Sequence, residues 1–105
     1  MNIDKITLDL LARCGSDFNR THHFDFYLYF RQESAARAAR LVLERERFTV
    51  TLIPPEVSPE WLVLAGKDML PEEVELRDLR HWFEKLAEDL KGDYDGWETA
   101  FTPSP

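Results

Sequence analysis

The stretch "HHFDFYLYFR", His22–Arg31, decides the fold class because its side chains alternate with a period of two residues. One face would carry the apolar side chains of Phe24, Phe26, Leu28 and Phe30. The other face would carry Asp25 and the two tyrosines, Tyr27 and Tyr29. This aromatic-rich alternation predicts a β-strand. Because both faces carry apolar bulk, we expect the strand to lie centrally in a sheet.

Around this strand, apolar residues at helical spacing predict three helices. They cover residues 2–13, Glu33–Glu46 and the segment from Pro71 to Lys91. In the first helix, the residues at this spacing are Ile3, Ile6, Leu10 and Leu11. Period-two patterns predict further strands, which cover Arg47–Pro55, Trp61–Leu70 and Trp97–Thr102. Gly92 would cap the last helix, and Asp93–Gly96 would turn the chain into the last strand.

The order of these elements predicts an α+β protein of 105 residues in one domain. After a short N-terminal helix (residues 2–13), a core at 22–102 follows the ferredoxin-like β-α-β-β-α-β plan with an antiparallel sheet. The apolar first and third strands would be central, and Pro54 and Pro55 suit an edge strand. Two helices would cover one sheet face. The face with Tyr27 and Tyr29 would be covered by the N-terminal helix, a partner or a second copy, so a homodimer is possible.

Charge is distributed unevenly along the chain, whose net charge is −7. Residues 1–50 hold eight basic and seven acidic side chains, whereas residues 51–105 hold five basic and thirteen acidic ones. This balance argues against direct binding of nucleic acid and favours a basic protein partner, although a solvated acidic helix has the same composition. No apolar run has the length of a membrane span, and no signal peptide is evident. With one cysteine, Cys14, we expect a cytoplasmic protein.

Residues that could carry chemistry form no recognisable catalytic set. His22 and His23 are adjacent on a strand and would point to opposite faces, so an exposed pair at the strand start is favoured over a metal site. Cys14 lacks a base, and His81 fits a helix surface better than a general base. Tyr27 and Tyr29 lie where RNA-recognition motifs stack bases, but the motif residues are missing. We therefore expect no enzyme activity, no metal and no cofactor.

The C-terminal stretch "GDYDGWET", Gly92–Thr99, resembles the YDGWE-type signature of the ribonuclease E inhibitor family, the regulators of ribonuclease activity B (RraB-like proteins). The sequence "GSD", Gly15–Asp17, before the first strand is similar to that family as well. So are the aromatic strand "FDFYLYF", Phe24–Phe30, and the strands that begin near Phe48 and Trp61. The resemblance extends from about Leu10 to Phe101. It implies the same ferredoxin-like fold.

The resemblance also implies a function. The family's namesake is a protein inhibitor that binds the bacterial endonuclease ribonuclease E, alters which RNAs are cut and is not an enzyme. We therefore expect a cytoplasmic regulator of RNA decay that binds a basic, ribonuclease E-type endoribonuclease. One alternative is a general acidic module, such as an immunity-like protein for another basic toxin or nuclease. A small hydrolase or metal protein is a third hypothesis.

The expected partner-binding residues are acidic side chains of the last helix and the segment after it, together with exposed aromatics. These acids are Glu72, Glu73, Glu84, Glu88, Asp89, Asp93 and Asp95. The family signature comprises Gly15, Asp17, Tyr94, Asp95, Gly96 and Trp97. For the signature, a fold-defining role is favoured over a binding role, because Gly and Trp have a direct packing use where a helix turns into a strand.

Overall fold

The computed structural model describes residues 3–56 and 58–104, so Asn2, where the first helix was predicted to begin, lies outside the described residues. The ends of the predicted domain, Met1 and Pro105, lie outside them too. The helices are α1 (Ile3–Arg13), α2 (Glu33–Arg45) and α3 (Glu73–Asp89). The strands are β1 (His22–Phe30), β2 (Thr49–Ile53), β3 (Trp61–Met69) and β4 (Asp93–Thr99).

The four strands form one antiparallel sheet in the order β2-β3-β1-β4. This order confirms the predicted ferredoxin-like α+β fold with an added N-terminal helix. The two strands with apolar side chains on both faces, β1 and β3, are central. The edge strand β2 ends directly before Pro54, whose missing N–H cannot continue a ladder.

The core lies between the sheet and the pair α2 and α3. All four predicted apolar side chains of β1, from Phe24 to Phe30, are fully buried. Phe83 of α3 stacks on Phe26 with ring centroids 4.7 Å apart, and Phe48 meets Phe83 edge-on at 5.4 Å. Full burial of one such aromatic side chain contributes about 1.5–3 kcal/mol. These rings fix α3 across the middle of the sheet.

The predicted turn at Asp93–Gly96 and strand at Trp97–Thr102 are wrong in their boundaries. Strand β4 begins at Asp93. The reversal occurs earlier, where Lys91 has a φ of 57° and the Gly92 N–H bonds to the Ala87 carbonyl at 2.7 Å. A Cβ at Gly92 would overlap the ring of Phe30 and the Tyr29 carbonyl oxygen, so only glycine lets β4 start this close to β1.

Strand β4 contains a bulge at Gly96. Phe26 pairs with Trp97 and Leu28 with Tyr94, so two residues of β4 lie opposite the single residue Tyr27. Gly96 has a φ of 95°, a conformation that favours glycine. The bulge keeps both Tyr94 and Trp97 on the core side of the sheet.

Helix α1 packs against α3 beside the β4 edge. Its predicted apolar stripe is only partly correct, because Leu8 is buried, Leu11 is half-buried, and Ile6 and Leu10 are exposed. The side chain of Ile3 lies outside the description. Since α2 and α3 share one face of the sheet, the opposite face carries Tyr27 and Tyr29 toward solvent. We call this second surface the open face.

Candidate protein-binding surface

Four of the predicted acidic residues lie at opposite ends of α3. Glu72 immediately precedes α3, and Glu73 is in its first turn. Glu88 and Asp89 are in its last turn, about 24 Å away at 1.5 Å per residue. All four are exposed. A single compact contact therefore cannot use both ends of the helix at once.

Ion pairs within α3 offset part of its acidity. Arg80 lies 3.6 Å from Glu84, and Lys85 lies 3.2 Å from Asp89. Exposed pairs of this type contribute only about 0.3–0.5 kcal/mol to stability. They matter more for the charge of the surface than for stability, because each basic group neutralises one negative charge that a partner would meet.

Three of the predicted residues do come together, around the β4 edge. Glu84 and Asp95 line one depression of about 330 Å³ beside Arg80. Asp95 and Asp93 line a second, of about 610 Å³, together with Tyr29 and Glu60. Within the described residues, Glu60, Asp93 and Asp95 form no ion pair. Glu60 was not predicted, because no sequence pattern places the residue before β3 next to β4.

The open face presents Tyr27 at its centre. Its hydroxyl donates to Glu98 Oε2 at 2.8 Å. This hydrogen bond to a carboxylate is the main reason why the pKa of Tyr27 is raised to about 12. The hydroxyl is therefore a protonated donor at neutral pH. Across the sheet, Tyr27 pairs with Leu64 and Tyr29 with Leu62.

His23 lies on the same face between two carboxylates. Its Nδ1 is 2.7 Å from Asp68 Oδ1, and its Nε2 is 3.0 Å from Asp25 Oδ1. The Asp68 contact is the largest cause of a raised His23 pKa, and Asp25 adds to it against a partial desolvation cost. Gly66 makes room for the ring, because a Cβ there would lie 3.0 Å from His23 Cε1.

The prediction of an exposed histidine pair is wrong for His22. As expected for adjacent strand residues, the two side chains point to opposite faces, but His22 is buried at 1% exposure. Its Nδ1 lies 2.9 Å from the Arg20 carbonyl, and its Nε2 lies 2.7 Å from Ser16 Oγ. Those two contacts satisfy both ring nitrogens inside the protein.

Two aromatic residues of the signature pack in the core. Tyr94 stacks on Phe83 with centroids 5.1 Å apart, and Trp97 meets Phe24 edge-on at 5.1 Å. The Trp97 indole N–H donates to Asp4 Oδ1 at 2.9 Å. Burial, and secondarily the nearby Asp4 carboxylate, raises the pKa of the Tyr94 hydroxyl.

Two earlier residues of the signature lie where the α1–β1 loop meets the C-terminal segment. Gly15, with a φ of 91°, follows the end of α1. The Asp17 N–H donates to the Thr102 carbonyl at 2.7 Å, and Asp17 Oδ2 accepts from Ser104 Oγ at 3.2 Å. Asp17 Oδ1 accepts the Asn19 N–H at 3.0 Å, which closes a local turn.

Residues 3–56 and 58–104 contain no group of three or more His, Cys, Asp or Glu side chains that could hold a metal ion. Over the same residues, none of the helices combines the length and the apolar character that a membrane span requires. Cys14 is a free, exposed cysteine.

Fold and surface together define a small ferredoxin-like protein with an extra N-terminal helix and acidic residues around an uncovered sheet face. The family model for RraB, regulator of ribonuclease activity B, matches residues 2–99. The chain therefore belongs to the RraB family, which confirms the resemblance of the "GDYDGWET" segment. Comparison with curated proteins finds none that matches. Family membership supports a role in the regulation of ribonuclease activity.

Proposed function

We propose that this protein is a cytoplasmic regulator that binds a ribonuclease E-type endoribonuclease and thereby modulates RNA decay, without catalysing a reaction itself. The observation that carries the proposal is the RraB match over residues 2–99. It covers every helix and strand of the fold, including α1 from Ile3 and the bulged strand β4. We infer that the activity belongs to this matched region, acting as one domain.

Charge supports a protein partner of this kind. An endoribonuclease must attract RNA phosphates and therefore carries Lys and Arg at its RNA-binding surfaces. A protein with a net charge of −7 is attracted to such a surface and repelled by RNA. Binding there would change which RNAs reach the nuclease.

We propose that the acids near β4 and the last two turns of α3 supply this attraction. They are Glu84, Glu88, Asp89, Asp93 and Asp95, with Glu72 and Glu73 at the far end of α3 contributing to the long-range field. Exposed charges of this kind mainly accelerate association, because they act before contact is made. The signature residues Gly15, Asp17, Tyr94, Gly96 and Trp97 have packing and hydrogen-bonding roles in the proposal.

The test is cleavage of a fluorescent RNA by ribonuclease E from the same host, with increasing amounts of this protein. We expect the cleavage rate to fall, or the cleavage sites to change, as the protein binds. The double variant Glu84→Lys/Glu88→Lys should slow association by about tenfold and reduce its dependence on salt.

A matched control is Glu44→Lys/Glu46→Lys at the C-terminal end of α2, where Glu46 is the residue directly after the helix. It changes the net charge equally and also breaks an i,i+4 pair, since Arg40 lies 3.4 Å from Glu44. We expect this control to retain most of the wild-type association rate. If the nuclease cleaves identically with and without the wild-type protein, the proposed function is wrong, and an alternative basic protein becomes the partner to seek.

A further inference from the structure

We propose that the open face is the docking surface for an extended basic segment of the partner protein, an inference that rests on the proposed function and names its contact surface. The apolar centre of this face consists of Tyr27, Tyr29, Leu62 and Leu64, which neighbour one another in the β1–β3 register. Because α2 and α3 occupy the other face, these side chains are available to a partner.

The charged side chains of the open face are almost all acidic. By strand register, the acids on it are Asp25, Asp68, Asp93 and Glu98. His23 is the one titratable base among the described strand residues on this face, and no Lys or Arg is among them. Lys67 of β3 points to the opposite side, where its Nζ lies 5.2 Å from the centre of the Phe48 ring.

This charge pattern selects a basic protein segment as the occupant. A second copy docked by a two-fold axis would place each acidic rim against itself, because both subunits use the same patch. RNA stacked on the tyrosines would bring phosphates next to four carboxylates. Lys and Arg side chains instead neutralise the rim, while their aliphatic stems cover the tyrosine rings.

A depression at each end of the open face gives the proposed segment two anchor points. At the Tyr29 end, Glu60, Asp93 and Asp95 line the depression of about 610 Å³ together with Tyr29. That arrangement suits a Lys or Arg placed over an aromatic face between carboxylates. None of these three acids forms an ion pair within the described residues.

At the His23 end, a groove of about 660 Å³ separates the β4 edge from α1. Its lining is largely apolar and includes Leu10, Leu11 and Trp97, with Asp25 and Glu98 among its polar residues. An apolar side chain fits this groove better than a charged one. From His23 to Tyr29 the strand rises about 20 Å, so an extended segment of roughly seven residues spans both anchor points.

The outer face of α3 is a weaker candidate for close contact. Its acids alternate with Arg77, Arg80 and Lys85, and three of them (Asp78, Glu84 and Asp89) lie in ion pairs with these bases. These helix charges would steer the encounter, whereas contacts on the open face would determine how long the complex lasts. Charge changes on α3 should therefore alter mainly the association rate constant. Changes on the open face should alter mainly the dissociation rate constant.

The experiment measures association and dissociation rates of wild-type and variant proteins on immobilised, full-length ribonuclease E from the host. Tyr29→Ala, and separately Glu60→Lys/Asp93→Lys, should each raise the dissociation rate by about tenfold. The controls are Leu41→Ala, which removes an exposed apolar side chain on α2, and Glu44→Lys/Glu46→Lys. Both controls should dissociate at the wild-type rate, and thermal melts should show that every variant is folded.

Dissociation rates of both open-face variants within about twofold of wild type, with the wild type bound, would overturn the docking surface and leave the proposed function standing. A wild-type protein that does not bind the nuclease would instead refute the proposed function. In that case amide chemical-shift mapping with a heptapeptide of alternating Leu and Arg decides the inference by itself. Shifts confined to β1, β3 and β4 of the open face support it, and shifts on α3, or none, overturn it.

Two other occupants of the open face, a second copy of this chain and single-stranded RNA, can be tested directly. Sedimentation of the wild-type protein and of Leu64→Asp would reveal a dimer that dissociates when the open face is charged. Titration with a single-stranded oligouridylate would reveal binding of bases to the tyrosines. Either result would overturn the choice of a basic protein segment.

Discussion

The Asp4 carboxylate accepts the indole N–H of Trp97 at 2.9 Å, across 93 positions of sequence. The other oxygen of the same carboxylate forms an ion pair with Arg80, whose Nη1 lies 3.5 Å away, and accepts no hydrogen bond within the described residues. Asp4 is only 4% exposed, so these two contacts hold a charge that would otherwise be costly to bury. Through them α1 is joined to both α3 and β4.

Loss of the indole N–H should weaken this junction. Trp97→Phe keeps an aromatic ring against Phe24 but leaves Asp4 Oδ1 without its donor, so we expect unfolding to require about 1–3 kcal/mol less free energy. Chemical denaturation followed by circular dichroism measures the change. Trp61→Phe is the matched control, because Trp61 is half-buried and its indole makes no hydrogen bond within the described residues. Equal losses in the two variants would contradict a special role for the Asp4 contact.

The two glycines that flank Tyr94 should respond to alanine for different reasons. Gly96→Ala adds a Cβ with no atom within 4 Å, so its cost is the positive φ alone, about 1 kcal/mol. Gly92→Ala drives a Cβ into the Phe30 ring and the Tyr29 carbonyl, and we expect a loss of about 2–3 kcal/mol. Denaturant midpoints of the two variants give the comparison. A larger loss at Gly96 would show that the bulge is packed differently from this structure.

His23 should titrate above its ordinary value, because Asp68 and Asp25 both accept from its protonated ring. Since the pKa is raised in the folded state, the stabilisation is complete below the unfolded value of 6.5. It is lost as pH rises through the folded pKa. NMR titration of the His23 ring measures this pKa, and Asp68→Asn should lower it. Asp89→Asn, a remote change of the same kind, should leave it unchanged, and an Asp68→Asn midpoint equal to wild type would refute the contact.

Removal of the Glu98 charge should act on Tyr27. In Glu98→Gln the tyrosine hydroxyl loses its carboxylate acceptor, so we expect its pKa to fall from about 12 toward 10. Ultraviolet absorbance of tyrosinate during an alkaline titration measures the change, with Tyr27→Phe identifying the contribution of this residue. A Tyr27 titration unaltered by Glu98→Gln would mean that the hydrogen bond does not form in solution.

Local sequence patterns were sufficient to predict the central strands, but they were insufficient to predict the boundaries of β4. The side chains of β1 alternate along its own sequence, so the position of the strand and the residues on each of its two faces could be predicted. Asp93, Asp95 and Gly96 have low strand propensity, and they form a strand only because Tyr94 packs on Phe83 and the backbone pairs with β1. Such tertiary contacts override propensity.

The same distinction applies to the surface. Asp4 is a charged residue in a helix that was predicted from apolar spacing, and its burial depends on Trp97 at the other end of the chain. The acids of α3 could be found by composition. Glu60 lines the same depression as Asp93 and Tyr29 because β3 and β4 lie on either side of β1. No local sequence pattern specifies that arrangement of strands. The alternation of side chains along β1 did correctly predict that Asp25 lies on the same face as Tyr27 and Tyr29.

The most direct measurement of the central claim is calorimetric titration of this protein into ribonuclease E from its own host, at about 50 and 200 mM salt. The proposed function predicts a saturable complex with a dissociation constant below roughly ten micromolar at the lower salt, weakening clearly at the higher one. Absence of heat at both concentrations, with both proteins folded, would contradict it.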